Sequence, residues 1–520
     1  MKVIQDGFTI VGGGTAGFLA ALFLNKKYPE YNVSLIHSKQ IGILGAGEGT
    51  TPHLVTFIEQ ELNISVFQLF KNTNATLKNG IKFTNWNKHP GSYFHGFANI
   101  GDTEFLQDPF FFKRLAYENK SYDDYSVANQ LSVNLKSPFI EKATFNILSR
   151  KAVDNCDSNI FRDLAKQSIN FAVHFDAVEL ANYLEKIAVE RGINVIDDKV
   201  TDIITDDNNY ITEINTENNG RHKTKYVIDS TGFARLIIGK KYNTEWISRK
   251  DYLPMKEAQP FFLPQEDLEK VEPSTESIAQ DAGWIWKIPL QHRYGCGYVY
   301  DSDYITNQQV REKILEIYPS AEMGKKTFKF EAGYYKDTAV KNCFGAGLAS
   351  SFVEPLEATS IFMFVEQLRF AFDNGLFQAA ISRDKNSTVF NSIKNKVNEF
   401  CRSSNEDVCE FIQYHYLADK DETPFWREFR QKNKLFDNVI ARIDMLSNGI
   451  LDTQCTQTCY TMFDQPSYLV VGSGLGFLKV ETIEDTSHNL EDIRLSLKEY
   501  TERHLTHTQL IINNQDWVIC

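Results

Sequence analysis

The sequence lacks a long apolar run, an excess of positive charge and the Cys and His pattern of a metal site. Nothing in it approaches the roughly 18 uninterrupted apolar residues of a membrane span. The net charge of −13 argues against binding to nucleic acid, which needs clustered Lys and Arg. Among the eight scattered cysteines, Cys455 and Cys459 lie close together, but no second pair completes a metal site. With no apolar signal segment at the N-terminus, we expect a cytoplasmic protein with reduced thiols and no metal.

The order of the apolar segments predicts the fold class. At 520 residues, the chain is long enough for more than one module. Residues 7 to about 37 read as strand, glycine-rich turn, helix and strand, which begins a βαβ unit. Strand-like runs such as Tyr226–Asp229 and Gly297–Tyr300 follow, and from about residue 361 the pattern becomes helical and rich in Phe. The chain is therefore predicted to be an α/β protein, with a Rossmann-like domain, an inserted sheet layer and a helical C-terminal module.

The glycine-rich turn predicts a dinucleotide site. Gly12, Gly14 and Gly17 fill the glycine positions of G-x-G-x-x-G directly after a short apolar strand. The first glycine allows a tight turn, the second lets the backbone approach a pyrophosphate, and the third permits close helix–strand packing. Thr15 and Ala16 open the helix whose N-terminus faces the phosphates.

Two further features favour FAD over NAD. Asp229–Phe233 resembles the second glycine-containing strand end of the glutathione-reductase-type flavoproteins, and Gly345–Leu348 resembles the stretch that approaches their flavin ring. Leu348 replaces the Asp that commonly follows Gly347. The second strand ends in the neutral residue His37, where an acid usually binds the ribose, so we expect loose cofactor binding.

Trp is scarce, with six residues in the chain, yet Trp284 and Trp286 lie one residue apart. In a strand, side chains alternate between faces, so both indoles point to one face. Two large residues in a core strand are the ordinary explanation. The complete string W-x-W-x-I-P at 284–289 is rarer than W-x-W alone.

Together with other motifs, that string resembles flavin-dependent halogenases of the tryptophan-halogenase type over most of the first 430 residues. The matching segments are Gly45–Pro52, His174–Ala177, Phe352–Ser360 and Thr423–Trp426. The resemblance implies a separate flavin reductase as a partner, since no NADPH motif is visible beyond the one dinucleotide site. The expected cofactor-binding residues outside the glycine turn are His37, Ala46, Glu48, Val200, Gly347 and Leu348.

The resemblance also implies how the reaction proceeds. Reduced FAD, O2 and halide give hypohalous acid, which passes the wall formed by Trp284 and Trp286 to an essential lysine beside the aromatic substrate. In the family this lysine precedes the string I-K-F-x-N-W, which places it at Lys78. A solvated helix lysine is the ordinary alternative for Lys78, and Lys82 is the nearest rival. An amine of lowered pKa can form a haloamine, and an ammonium can polarise hypohalous acid.

Glu357 is the second expected catalytic residue, because a carboxylate beside the substrate can stabilise the cationic intermediate or take up the ring proton. Glu354 is its rival. Thr359 and Ser360 match the halide-binding backbone positions of the family, but Ala358 and Ser360 replace the Ser and Gly of its pattern. A Cβ at position 360 changes the backbone beside the halide, and we expect larger halides than chloride to be preferred.

Aromatic residues indicate the substrate class. His95 and Phe97 resemble the element that stacks on the substrate ring, with Phe425 and Trp426 opposite, although these last two could also be ordinary helix packing. Residues 414–422 do not reproduce the contacts that grip the amino-acid end of free tryptophan. We therefore expect an indole or phenol without that group.

Three other functions compete with the halogenase. A flavin-dependent aromatic hydroxylase shares the fold but needs its substrate at the flavin, which the tryptophan wall would block. A geranylgeranyl-reductase-like flavoprotein would lack both the tryptophan wall and the need for Lys78. A non-catalytic scaffold would not need Lys78 and Glu357 together. We expect a cofactor domain with its sheet insertion over residues 1–380, a helical module completing the substrate site over 381–520, and a homo-oligomer.

Overall fold

The computed structural model describes residues 5–42, 45, 47–97, 109–140, 170–381, 387–451, 460–483 and 489–508. Ala46, one of the predicted cofactor-binding residues, lies outside the described residues, as do Cys455 and Cys459. Within the described ranges, no helix is long and apolar enough to cross a membrane.

Most strands of the described chain lie before residue 353. They are β1 (Gln5–Val11), β2 (Tyr31–His37), β3 (Glu48–Gly49), β4 (Thr76–Lys78), β5 (Gly80–Thr84), β6 (Ser92–Gly96), β7 (Lys136–Ile140), β8 (Ala172–Phe175), β9 (Asn194–Asp197), β10 (Val200–Thr205), β11 (Ile211–Thr216), β12 (Gly220–Lys223), β13 (Tyr226–Asp229), β14 (Trp246–Ser248), β15 (Glu257–Pro264), β16 (Thr275–Gln280), β17 (Gly283–Pro289), β18 (Arg293–Tyr300), β19 (Glu322–Met323), β20 (Phe328–Lys329), β21 (Gly333–Tyr335), β22 (Ala339–Val340), β23 (Cys343–Gly345), β24 (Ser351–Phe352) and β25 (His504–Thr506).

Helices dominate the chain after residue 358. The α-helices are α1 (Thr15–Lys27), α2 (Pro52–Thr56), α3 (Phe67–Asn72), α4 (Pro109–Tyr117), α5 (Val127–Val133), α6 (Ala177–Glu190), α7 (Asn307–Ile317), α8 (Thr359–Asp373), α9 (Leu376–Ile381), α10 (Thr388–Tyr416), α11 (Pro424–Lys432), α12 (Asp437–Ser447), α13 (Gln465–Gly474) and α14 (Leu490–Glu502).

The predicted Rossmann-like unit is confirmed. A sheet with the order β22-β23-β13-β1-β2-β9 is parallel except at β22, and β1 runs between β13 and β2. Helix α1 is buried from Gly17 to Leu24, as its apolar sequence on every side requires. The antiparallel sheet β10-β11-β12 is inserted between β9 and β13.

The inserted sheet layer has the order β19-β15-β18-β17-β16-β5-β6. Strands β15 to β18 form long antiparallel pairs, and β5 joins β16 in parallel. A small sheet, β3-β8-β4, carries Lys78 on its edge strand β4. The helical alternative for Lys78 is wrong, because Lys78 and Lys82 lie on two short strands rather than on one helix face.

Helix α10 connects two hydrophobic cores. Its residues Phe390, Val397 and Cys401 belong to the core around the Rossmann-like sheet. Its later residues, among them Val408 and Phe411, belong to the core of the inserted sheet. The helical C-terminal segment thus packs on both layers, and the predicted domain division between residues 380 and 381 stays a prediction.

Candidate functional site

The glycine turn after β1 is shaped by close backbone contacts. Gly12 has a φ of +117°, a region that disfavours other residues, and its N–H donates to the carbonyl of Ile36 at 2.8 Å. A Cβ on Gly17 would lie 2.0 Å from the carbonyl oxygen of Gly12. Helix α1 then begins at Thr15 with no side chain capping its first N–H groups and no acid in its first turn. Such a helix start is suited to a phosphate.

The two later motifs lie against this turn. Ser230 Oγ donates to the carbonyls of Val11 at 2.9 Å and Gly12 at 3.0 Å, so the segment after β13 supports the glycine turn. Gly347 begins a short 3₁₀-helix with Leu348, and a Cβ on Gly347 would lie 3.0 Å from that of Ala16. The fold therefore brings together the three segments that the sequence predicts to hold the cofactor.

His37 lies at the end of β2, where it packs against the turn. A Cβ on Gly13 would lie 2.3 Å from His37 Nδ1. His37 Nε2 is buried without a hydrogen-bond partner among the described residues, and Glu185 Oε1 lies 4.0 Å from it. Burial lowers the pKa of the ring, which leaves a neutral imidazole facing the glycine turn. An orphaned donor or acceptor here fits a ribose hydroxyl.

Two other predicted cofactor residues occupy different surroundings. Val200 begins β10 and packs against a cluster that includes Val11 and Ile36 of the Rossmann-like sheet. Glu48 lies on β3, where burial and then the neighbouring Asp176 raise its pKa to about 7. The Rossmann-like residues fit a dinucleotide, and Glu48 adds a carboxyl group that is only partly ionised at neutral pH.

Lys78 is sealed inside the protein. Its side chain is 0% exposed, its ammonium donates to the carbonyl of Thr50 at 2.8 Å, and it lies 5.5 Å from the ring centre of Phe97. Burial lowers its pKa to about 7, against the opposite effect of Glu357. A Cβ on Gly49 would lie 3.3 Å from Nζ, so only glycine leaves ample room there. Lys82 differs, since it is partly exposed and pairs with Glu272 at 3.7 Å.

Glu357 lies between two histidines from distant parts of the chain. His95 Nδ1 is 2.8 Å from Oε1 and His415 Nε2 is 3.0 Å from the same oxygen. Although burial raises the pKa of Glu357, the charges and hydrogen bonds of the two histidines prevail and lower it to about 2. Lys78, whose pKa the charge of Glu357 raises, therefore belongs with Glu357 and the histidines to one buried centre built from β4, β6, α10 and the segment before α8.

The backbone at Glu357 has an unusual conformation. Glu357 has φ and ψ of 63° and 3°, and Ala358 has 55° and 40°, both left-handed without being glycine. Two such residues in succession store roughly 1–3 kcal/mol each, which is typical of functional sites. They lead into α8, whose first N–H groups have no side-chain cap. Thr359 is buried at that helix start with Oγ1 unpaired within the described residues, and Ser360 is half-buried beside it.

The two indoles of β17 lie side by side, with ring centres 6.3 Å apart. Trp284 is buried and donates from Nε1 to the hydroxyl of Tyr416 at 3.0 Å, and that hydroxyl donates to Glu354 at 2.8 Å. Trp286 is half-buried and lines an apolar pocket of about 150 Å³ together with Phe352 and Pro355. The pair is thus part core and part pocket wall.

The structure brings only part of the predicted substrate wall together. His95 and Phe97 adjoin Glu357 and Lys78. Phe425 and Trp426 are buried in α11, where Trp426 packs on Tyr416 and on Trp86. Within the described chain, neither of these two rings contacts the ring of His95. Their substrate role stays a prediction.

The sequence interpretation missed several residues at this centre. His415 contacts Glu357 directly, and Phe411 stacks on Phe463 at 3.8 Å beside His95. Trp86 ends the motif that identified Lys78, yet its position between Trp426 and His415 follows only from the fold. No local pattern marks His415, because its partners lie far away in the sequence.

The glycine turn and the buried Lys–Glu–His centre lie on different sheets of one fold. The paired indoles lie on β17, between β16 and β18 of the inserted sheet. This combination places the protein in the class of dinucleotide-binding enzymes.

Comparisons with known proteins specify the family. A family model described as tryptophan halogenase matches residues 7–488. A 7-chloro-L-tryptophan 6-halogenase from Kutzneria sp. (strain 744) is 29% identical over 483 residues, covering 90% of this chain and 90% of its own. A tryptophan 7-halogenase from Lentzea aerocolonigenes is 28% identical over 465 residues, covering 86% and 82%. The structure of a tryptophan C-6 flavin-dependent halogenase from taromycin biosynthesis aligns with a TM-score of 0.82 at 26% identity, covering 98% of this chain and 100% of that one.

The chain belongs to the tryptophan halogenase family. The predicted flavin-dependent halogenase is thereby confirmed, with a flavin as its class of cofactor, and the aromatic hydroxylase is not supported.

Proposed function

We propose that this protein uses FADH2, O2 and a halide to form hypohalous acid, and that it halogenates an electron-rich indole or phenol at Lys78 and Glu357. The observation that carries the proposal is the burial of both Lys78 and Glu357. Lys78 and Glu357 are both buried, and they come from β4 and from the segment before α8. Burying two charged groups is costly, so their retention favours chemistry over packing.

The glycine turn, His37 and the Gly347 segment would hold FAD. The uncapped start of α1 would receive the pyrophosphate, and the orphaned Nε2 of His37 would meet the adenosine ribose. When bound, the reduced cofactor supplies the electrons with which O2 and halide yield hypohalous acid. A separate flavin reductase would provide FADH2, as the family resemblance implies.

The start of α8 would hold the halide. Its backbone N–H groups lack a side-chain cap, and the hydroxyl of Thr359 is buried without a partner in the described part of the chain. Both features supply donors for an anion, with Ser360 beside them. The left-handed Glu357 and Ala358 fix the direction in which this helix begins. We expect bromide to be used at least as well as chloride.

Lys78 and Glu357 would have different roles at the substrate. Lys78 would hold hypohalous acid by hydrogen bonding, and a pKa of about 7 leaves both its ammonium and amine forms populated. The carbon–halogen bond forms as the oxygen–halogen bond breaks, and the departing hydroxide takes up a proton from the Lys78 ammonium to become water. Glu357, ionised at neutral pH, would then accept the proton that the ring carbon loses.

The residues around this centre favour a substrate without an amino-acid group. Rings of Phe97, Phe411 and Phe463 surround His95 and Lys78. Two nearby tyrosines are already committed, since Tyr414 donates to the carbonyl of Tyr468 and Tyr416 donates to Glu354. The protons of both hydroxyls are therefore unavailable to a substrate carboxylate, which favours an uncharged arene over free tryptophan.

The test supplies the full chain with FAD, a flavin reductase, NADH, bromide and a panel of indoles, phenols and free tryptophan. Mass spectrometry should detect brominated indole or phenol in larger yield than brominated tryptophan. Lys78→Ala should abolish the product while still binding FAD, and Lys82→Ala, which alters the partly exposed lysine, is the matched control. Hydroxylated product, or full halogenation by Lys78→Ala, would contradict the proposal.

A further inference from the structure

Both histidines at Glu357 converge on one oxygen of the carboxylate. The nitrogens of His95 and His415 lie 2.8 Å and 3.0 Å from Oε1. Within the described chain, no residue donates a hydrogen bond to Oε2. The carboxylate therefore has one anchored oxygen and one oxygen left for a substrate.

The two histidines differ in the number of protons that these contacts require. His95 donates from Nδ1 alone, for which a neutral ring suffices. His415 has contacts at both nitrogens, because its Nδ1 lies 2.9 Å from the carbonyl oxygen of Phe411. A carbonyl only accepts, so Nδ1 carries a proton. The two histidines hold the pKa of Glu357 well below its usual range, so its ionised carboxylate also only accepts and Nε2 carries a second proton.

The surroundings of His415 make a doubly protonated ring dependent on its carboxylate partner. The ring is fully buried, with Phe83 at 4.8 Å, Phe411 at 5.0 Å and Trp86 at 6.1 Å between ring centres. Aromatic faces stabilise a cation modestly, but a buried cation needs a counter-charge as well. Glu357 supplies it at 3.0 Å.

We propose that His415 is a positioning residue for the halogenation reaction: as an imidazolium it keeps Glu357 ionised and turned so that Oε2 receives the ring proton. This inference rests on the proposed function, because it requires Glu357 to act as the base. It assigns His415 a role that its position on the buried face of a long helix would not suggest. His95 shares the anchoring of Oε1 but is not required to be charged.

Nitrogen NMR of histidine-labelled full-length protein tests the proton count directly. The signals of His415 are identified by their loss in His415→Gln. We expect both of its ring nitrogens to be protonated at neutral pH. A ring protonated at Nδ1 alone would overturn the proposal. Because this measurement needs no turnover, it tests the protonation of His415 independently of whether the protein halogenates.

Kinetics test the positioning role. Since a charge-assisted hydrogen bond is lost, His415→Phe should lower kcat by about 10- to 100-fold. The KM for the arene should change by less than about threefold, because the fully buried His415 ring is expected to act through Glu357 rather than on the arene. His415→Gln should recover part of kcat, as its amide can still donate to Oε1. His222→Gln, on the distant strand β12, is the matched control.

A folded His415→Phe with the kcat of the unaltered protein would overturn the proposal. Thermal melting establishes whether each variant is folded. Should His415→Phe fail to fold, the proton count of the unaltered protein and the kcat of His415→Gln still decide the question.

Discussion

His507 accepts a hydrogen bond from the backbone N–H of Leu77, at 3.0 Å, although 430 residues separate them in the chain. The same ring donates from Nδ1 to the carbonyl of Val271 at 3.2 Å, so a neutral imidazole satisfies both contacts. In the part of the chain that the structure describes, strand β4 pairs with β8 along one edge, and His507 lies at its other edge next to Lys78. The C-terminal segment thus takes part in holding the predicted catalytic lysine.

His507→Ala should lower the free energy of unfolding by about 1–3 kcal/mol, because it leaves the buried N–H of Leu77 without an acceptor. Urea denaturation measures this loss. His222→Ala, at a less buried position on β12, should change stability by less than half as much. Equal effects of the two substitutions would contradict the role assigned to His507.

The same histidine predicts a dependence of stability on pH. Burial lowers the pKa of His507 to about 4, from about 6.5 in the unfolded chain. Between these values the unfolded state binds more protons, so the contribution of His507 is complete above pH 6.5 and falls as the pH is lowered towards 4. The difference in unfolding free energy between the unaltered protein and His507→Ala should shrink over this range. A difference that stays constant would argue against a neutral buried ring.

Lys78→Met should abolish halogenation yet raise the free energy of unfolding by about 1–3 kcal/mol at pH 7, because it removes the cost of burying an ammonium. The pKa of Lys78 is about 7 in the folded protein and 10.5 in the unfolded chain. Over that range the unfolded state binds more protons, so the unaltered protein gains stability as the pH rises. The difference in unfolding free energy between Lys78→Met and the unaltered protein therefore narrows. Urea denaturation at pH 7 and pH 9 measures it. A less stable Lys78→Met would show that the contact with Thr50 outweighs the cost of burial.

Glu354→Gln should be tolerated by the fold. Burial raises the pKa of Glu354 to about 8, so its carboxyl is largely protonated at pH 7, and an amide of equal size keeps the acceptor for Tyr416. Below pH 4.5 the carboxyl is protonated in both states, and its contribution to stability is lost as the pH rises through 8. Relative to the unaltered protein, Glu354→Gln should therefore gain about 2–4 kcal/mol between pH 5 and pH 8. If the difference in unfolding free energy between Glu354→Gln and the unaltered protein did not change with pH, the carboxyl of Glu354 would not be protonated as predicted.

Gly297→Ala tests the indole wall. Gly297 lies opposite Trp286 in the sheet, and a Cβ there would lie 2.0 Å from Cη2 of the indole. The substitution should displace Trp286, cost about 1–3 kcal/mol and lower the yield of halogenated arene per FADH2 oxidised. Tryptophan fluorescence, product yield and a scavenger for escaped hypohalous acid report the three effects. Gly91→Ala is the control, since its methyl group would meet nothing within 4 Å. If the tryptophan fluorescence changed but the yield of halogenated arene stayed the same, the indole wall would have no role in guiding the oxidant.

Local patterns predicted much of the fold because they depend on neighbouring residues. Tyr226–Asp229 was expected to be a strand and forms β13 with those bounds. The glycine turn was recognised because its geometry is fixed within a few residues of Gly12. Lys78 was found only through a family motif, and the alternative of a solvated helix lysine is wrong because Lys78 is buried on a strand.

The charged centre could not be predicted in the same way. Glu357 and His95 are 262 residues apart, and His415 lies 58 residues from Glu357. Nothing local distinguishes His415 from an ordinary helix residue, since its role depends on which strand end meets the end of α10. The left-handed backbone of Glu357 and Ala358 is also hidden, because neither residue type favours it.

Helix α10 also acts as a spacer of fixed length and phase. Its 29 residues span about 43 Å, so one uninterrupted helix packs in the Rossmann-like core near its start and places His415 near its end. Adding a single residue between positions 401 and 408 would turn everything beyond it by about 100° and swing His415 away from Glu357. Descendants of this chain can therefore vary the loops around α10, but the interior of the helix tolerates substitution far better than insertion or deletion.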